Sequence, residues 1–153
     1  MPSTSVNKQN SSLDVLVLAA GLGTRMKSNL AKVLHKLDSR PLIAHVCRTA
    51  ADLKPNRILV VVGHQASEVQ DAVEQELGKD QASFVYQAEQ RGTGDAVLSA
   101  RDALAEAGST VLILSGDVPM VRAETLRSLL VEHNNKDSSC TILTIRLENP
   151  TGY

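Results

Sequence analysis

The stretch LDVLVLAAGLGTRM (13–26) decides the fold. Its first half is a nearly continuous apolar run, the pattern of a strand buried on both faces, and Gly21 and Gly23 end it. The pattern recurs at RILVVV (57–62), SFVYQ (83–87), TVLIL (110–114) and CTILTIRL (140–147). Helical stripes fall between these runs. Pro41 opens one with Leu42, Ile43, Val46, Cys47, Ala50 and Leu53 on a single face, before a turn at Pro55-Asn56. Residues 67–77 turn Val69, Val73 and Leu77 inward and stop at Gly78. An Ala-rich helix over 94–107 stops at Gly108, and a helix over 123–133 turns Leu126, Leu129 and Leu130 inward. Strands alternating with helices predict a three-layer α/β domain, a largely parallel sheet with helices on both faces.

Composition bounds the function. A chain of 153 residues is one domain or part of one, at roughly 100–200 residues per domain. Sixteen Lys+Arg against 17 Asp+Glu give a net charge of −1, which argues against a nucleic-acid surface. One Phe, two Tyr and no Trp leave no stacking platform for single strands. Cys47 and Cys140 lie far apart and outside any CxxC pair, so both are expected to be reduced, buried thiols. Residues 1–12 are Ser/Asn-rich without period and read as a disordered tail, with order beginning near Leu13. Val15–Ala20 is too short to span a membrane, and no secretory signal is visible, so a cytoplasmic setting is expected.

In open α/β sheets, ligands bind outside the carboxyl ends of the strands. Four such ends carry unusual residues: Ala19-Ala20-Gly21-Leu22-Gly23-Thr24-Arg25, Gly63-His64-Gln65, Gln87 through Gly94, and Ser115-Gly116-Asp117. The first loop is neither a dinucleotide fingerprint, because Met26 stands where glycine is required, nor a Walker A loop. Its small residues still let backbone N–H groups approach phosphate oxygens, with Arg25 and Lys32 adding positive charge. The alternative is a tight turn with two solvated cations. Asp117 is a hard oxygen ligand suited to Mg²⁺, or else it caps a turn before Pro119. In QAEQRGTGDA (87–96), Gln87 and Gln90 offer donor and acceptor edges like those of a nucleobase, with backbone groups at Gly92 and Thr93 able to do the same. The alternative is a polar loop leading to a helix capped by Thr93. His35, His45 and His64 lack metal-ligand spacing and read as structural or surface residues. Ser115 lacks a nucleophile elbow.

LAAGLGTRMKS, KVLH, QAEQRGTGDAV, LSGDVP and ENPTGY occur in the order found in one family. From Leu13 to Tyr153 the chain resembles the N-terminal uridylyltransferase domain of bacterial bifunctional N-acetylglucosamine-1-phosphate uridylyltransferase/glucosamine-1-phosphate acetyltransferases. The resemblance implies a Rossmann-like nucleotidyltransferase fold. It implies that the acceptor, N-acetylglucosamine 1-phosphate, attacks the α-phosphorus of UTP to give UDP-N-acetylglucosamine and pyrophosphate. Arg25 and Lys32 would be the catalytic cations on the triphosphate. Leu18, Ala19, Ala20, Gly21 and Gly23 would form the nucleotide loop. Gln87, with Gln90, Gly92 and Thr93, would read uracil. Ser115 and Gly116 would lie near ribose and sugar, and Asp117 would hold Mg²⁺. A pyrophosphorylase for another sugar 1-phosphate, or a non-catalytic nucleotide-binding module, are the alternatives.

The chain departs from the family pattern at Leu22, where many relatives carry Lys, and at Ala31, where Pro is usual and would hold the approach to Lys32 more rigidly. The resemblance also implies residues beyond Tyr153: a Gly-Arg pair, a Glu and two Asn for the sugar and metal, then an acetyltransferase domain forming a homotrimer. A piece without them is expected to be poorly active. Sugar 1-phosphate and nucleotide are the expected partners, with no nucleic acid and no membrane.

Overall fold

A computed structural model of the protein describes residues 12–21, 28–105 and 109–149. The opening apolar run forms β1 (Ser12–Leu18), and Val15, Leu16 and Val17 are wholly buried. A short 3₁₀ turn (Lys32–Leu34) leads to β2 (Lys36–Leu37) and β3 (Arg40–Pro41), then α1 (Leu42–Ala51). There follow β4 (Arg57–Val62), α2 (Ala66–Leu77), β5 (Ser83–Tyr86), α3 (Thr93–Ser99), β6 (Ser109–Ser115) and α4 (Ala123–Asn135). The main sheet has the order β5-β4-β1-β6 with every pairing parallel, as the alternation of elements predicts.

Side-chain alternation builds the layers. Leu16, Leu59 and Val61 turn to one face, where Ala20, Ala96 of α3 and Ala100 just after it complete an apolar cluster. Val15, Val17 and Val60 point the other way, toward the layer in which α1 and α2 pack together. At the amino ends of the strands, Arg57 grips the buried Asp14 opposite it, with Nη2 2.6 Å from Oδ2 and Nε 3.3 Å from Oδ1. That bidentate pair locks the β1/β4 register.

Five expectations are corrected. Residues 140–147 form no strand: Ile142 is 75% and Ile145 76% exposed, and no backbone pairing supplies the partner a strand requires. Cys140, in that segment, is accordingly exposed rather than buried. The Ala-rich helix ends at Ser99, not 107. The Ser99 hydroxyl bonds the Asp95 carbonyl at 3.0 Å, and the next amides, Ala100 and Arg101, reach back only three residues. The cap of that helix is Gly92 (φ 113°), a left-handed position suited to glycine, rather than Thr93. A two-residue turn at Asp38-Ser39, both with positive φ, joins β2 to β3 and was not expected, because its sequence lacks the usual Asn-Gly or Asp-Gly signal. Gly78, at φ 99°, ends α2 as expected. Residues 1–11 of the expected tail (1–12), Leu22–Lys27 and Gly108 lie outside the described residues, and Ser12 opens β1 instead of ending the tail.

The chain divides into two compact units, Met1–Val121 and Arg122–Tyr153. The second holds α4, where His133 Nδ1 lies 2.9 Å from Thr141 Oγ1 and Lys136 pairs with Glu132. No described helix is long and apolar enough to cross a membrane.

Candidate active site at the carboxyl ends of β1 and β6

Sheet order locates the site. From β1 the chain adds β4 and then β5 on one side, and β6 on the other. The winding therefore reverses between β1 and β6, and the connections leaving these two strands diverge to open a crevice. Leu18 stands opposite Ser115 in register. Beyond them the ladder continues for one more bond, from the Gly116 N–H to the Leu18 carbonyl (2.9 Å), while the Ala19 N–H reaches Val61 O at 2.8 Å. The first bond holds the ends of β1 and β6 side by side, and the second ties Ala19 to β4.

Gly116 is the tightest point of this junction. A Cβ there would lie 2.9 Å from the Leu18 carbonyl oxygen and from Ile43 Cδ1, and 3.3 Å from Val33 Cγ1. The next residue, Asp117, lies outside the apolar interior. Its side chain is 28% exposed, and its Oδ2 lies 2.7 Å from Lys32 Nζ. Lys32 belongs to the 3₁₀ turn, where Val33 and Leu34 are buried while the Lys32 side chain remains 46% exposed. The site thus presents a lysine and a carboxylate together, both reachable from solvent.

The second and third strand ends join the first. A Cβ on Gly63 would lie 3.1 Å from Ala20 Cβ, from Ala20 O and from Gln90 Nε2, so Ala20 and Gln90 both pack closely around Gly63. Gln87 is the exception to the expected open, base-reading loop. It is only 3% exposed, its N–H bonds Val62 O at 2.8 Å, and its Nε2 donates to Asp95 Oδ2 at 2.7 Å. The carboxylate of Asp95 therefore sets the orientation of the Gln87 amide. Gly92 and Thr93 are exposed at the start of α3, as are Gly21 and Ser115 at their strand ends. Gly23 and Arg25 lie outside the described residues.

His45 Nε2 is 2.9 Å from the Leu37 carbonyl, a structural tie as expected, and His64 is exposed. Among the described residues no group of three or more His, Cys, Asp or Glu is arranged to hold a metal. Among the described residues Asp117 therefore belongs to no cage of three or more such donors. Cys47 is wholly buried in α1, and its thiol is pushed up to about 12 by burial and by the charge of Glu76. It is inert as a nucleophile.

Two residues here escaped the sequence reading. Asp95 reads in the sequence as part of a polar loop. Gln65 reads in the sequence as a strand-end residue, and it precedes α2 where Ser, Thr, Asp or Asn is the usual cap. Its Oε1 accepts the Ala31 N–H at 2.5 Å.

The comparisons bear on the same region. The chain is 49% identical over 142 residues to the bifunctional protein GlmU of Synechococcus sp. (strain RCC307), covering 92% of this chain and 31% of the relative. It spans about a third of the length of the curated relatives it matches. Among solved structures, it superposes with TM-score 0.64 and 19% identity on a UDP-glucose pyrophosphorylase complexed with UDP-glucose, over 80% of this chain and 54% of that one. It superposes with TM-score 0.61 and 22% identity on Rv0371C of Mycobacterium tuberculosis in complex with manganese, over 81% and 60%. At these identities the superpositions speak for the fold alone. The model of the MobA-like NTP transferase domain matches residues 15–151, nearly the whole described chain and every strand end described above, and the chain belongs to that family of nucleotidyltransferases.

Proposed function

We propose that the chain transfers a uridylyl group from UTP to N-acetylglucosamine 1-phosphate, releasing pyrophosphate. The observation that carries this reading is the Lys32–Asp117 pair at the switch point of the sheet. It is supported by the match to GlmU proteins and by the motif order from LAAGLGTRMKS to LSGDVP.

Nucleotidyl transfer requires alignment and charge neutralisation rather than a covalent protein group. The acceptor's phosphate oxygen forms a bond to the α-phosphorus of UTP, the bond from that phosphorus to the bridging oxygen breaks, and pyrophosphate departs. In this reading Leu18, Ala19, Ala20, Gly21 and Gly23 receive the nucleotide, whose triphosphate meets Lys32 and Arg25. Gln87, oriented by Asp95, reads the uracil edge together with Gln90, Gly92 and Thr93. Ser115 and Gly116 face ribose and sugar. One partly exposed carboxylate beside a phosphate site suits Mg²⁺, which takes one or two carboxylates and fills its shell with phosphate oxygens and water. Asp117 would hold it, and Mg²⁺ when bound neutralises phosphate charge. The whole protein would add an acetyltransferase activity and trimerise through that further domain, with its substrates in the cytoplasm.

Titration calorimetry of UTP with and without Mg²⁺, paired with a pyrophosphate-release assay, tests the reading. Mg²⁺-dependent binding of UTP, with pyrophosphate released on adding N-acetylglucosamine 1-phosphate, is expected. Release with a different sugar 1-phosphate alone would point to another pyrophosphorylase, and binding without any release to a nucleotide-binding module.

A further inference from the structure

The approach to Lys32 is held from a distance. Ala31, which precedes Lys32, is wholly buried and sits at φ −54°, ψ 137°, inside the range that a proline ring imposes. Ala31 has no ring to keep it there. Instead its N–H, which proline would lack, donates to Gln65 Oε1 at 2.5 Å. Its carbonyl accepts the Leu34 N–H at 2.9 Å and closes the 3₁₀ turn that carries Lys32.

Gln65 is itself constrained. It takes a left-handed backbone (φ 53°, ψ 43°), which side-chain-bearing residues rarely adopt. Its carbonyl accepts the Val69 N–H and so begins α2. Its side chain makes no capping bond to the helix and is turned instead to Ala31. A continuous path therefore runs from the start of α2 through the Gln65 carboxamide and the Ala31 amide to Lys32, and from the Lys32 ammonium to Asp117.

We propose that Gln65 is a positioning residue for the nucleotide site: its carboxamide does for Ala31 what a proline ring would do, and so fixes Lys32 beside Asp117. The proposal rests on the reading of Lys32 as a triphosphate ligand, and the experiment separates the two. Gln65→Gly removes the carboxamide while suiting the left-handed backbone, so the variant folds. Ala31→Pro restores the φ constraint by another route.

In the ligand-free chain, acetylation of Lys32 by a small amine-reactive reagent is followed by mass spectrometry, with Lys54 and Lys79 as internal references. Gln65→Gly is expected to raise Lys32 labelling severalfold against those references, and adding Ala31→Pro to return it to the wild-type rate. Unchanged labelling, or a rise that Ala31→Pro fails to suppress, overturns the positioning role whatever the chain binds. By calorimetry with Mg²⁺ and UTP, Gln65→Gly is expected to weaken affinity about tenfold, and Ala31→Pro to recover it. In a Lys32→Met background, Gln65→Gly is expected to have no further effect. Equal loss in both backgrounds would mean that Gln65 acts elsewhere and would overturn the proposal. Labelling as expected in a chain that binds no UTP would leave the positioning role standing and refute the triphosphate reading instead.

Discussion

Lys32 Nζ and Asp117 Oδ2 lie 2.7 Å apart, although one residue follows β1 and the other follows β6. The contact exists because β6 lies beside β1 in the sheet, and it sets a cation and an anion where the winding reverses. Both side chains remain partly exposed, so the pair's worth lies in what it presents more than in what it stabilises.

Lys32→Met and Asp117→Asn are therefore expected to change folding stability by less than about 1 kcal/mol. Urea unfolding measures this. The same variants are expected to lose UTP affinity by different routes: Asp117→Asn abolishes the Mg²⁺ dependence, and Lys32→Met weakens binding at every Mg²⁺ concentration. A large stability loss with intact UTP binding would reduce the pair to a structural tie.

Gly116→Ala is expected to destabilise by about 1–3 kcal/mol, the usual range for overpacking. The added carbon would meet the Leu18 carbonyl at 2.9 Å, and a backbone atom in a parallel ladder cannot swing aside. Gly21→Ala, with no described atom within 4 Å, serves as the control and should stay within about 0.5 kcal/mol of wild type.

Asp95→Ala removes the acceptor that orients Gln87. A hydrogen bond to a charged group is worth roughly 1.5–3 kcal/mol, so a loss of that order is expected in urea unfolding. If Gln87 reads the base, preference for UTP over CTP should fall as well. Retained discrimination would assign base reading to other residues.

Cys47 yields a prediction about alkaline pH. Burial first, and then the charge of Glu76, raises its thiol from the ordinary 9.0 to about 12. The folded state thus favours the neutral thiol, and its stabilising effect is complete below pH 9. Above that the unfolded chain ionises first, and the contribution is lost as pH rises toward 12, at roughly 1.4 kcal/mol per pH unit. Urea unfolding at pH 8 and pH 10 should show this slope in wild type and a flatter one in Cys47→Ala. Equal slopes would show that other groups account for it.

Much of this was legible along the chain. An apolar run ending in Gly21, repeated between helical stripes, suffices for a parallel α/β sheet, because strands buried on both faces require helices above and below. The same reading marked Lys32, Gln87 and Asp117 as candidates, and the folded chain brings Lys32 and Asp117 together while burying Gln87. It failed at 140–147, since an apolar pattern indicates that a strand can form but not that a partner's N–H and C=O groups are there to pair with it. It also failed at Ser99, where one hydroxyl's bond to the preceding turn accompanies the end of a helix that composition alone would extend.

Local pattern and turn chemistry thus accounted for the four strands of the main sheet and the helices between them, because those preferences are written in each segment and its near neighbours. Strand order belonged to the folded state, since it depends on which ladders form across long separations. So did the meeting of Lys32 with Asp117, the burial of Gln87 against Asp95, and the reach of Gln65 to Ala31. Each of these contacts spans a gap that only packing closes, and no periodicity records it.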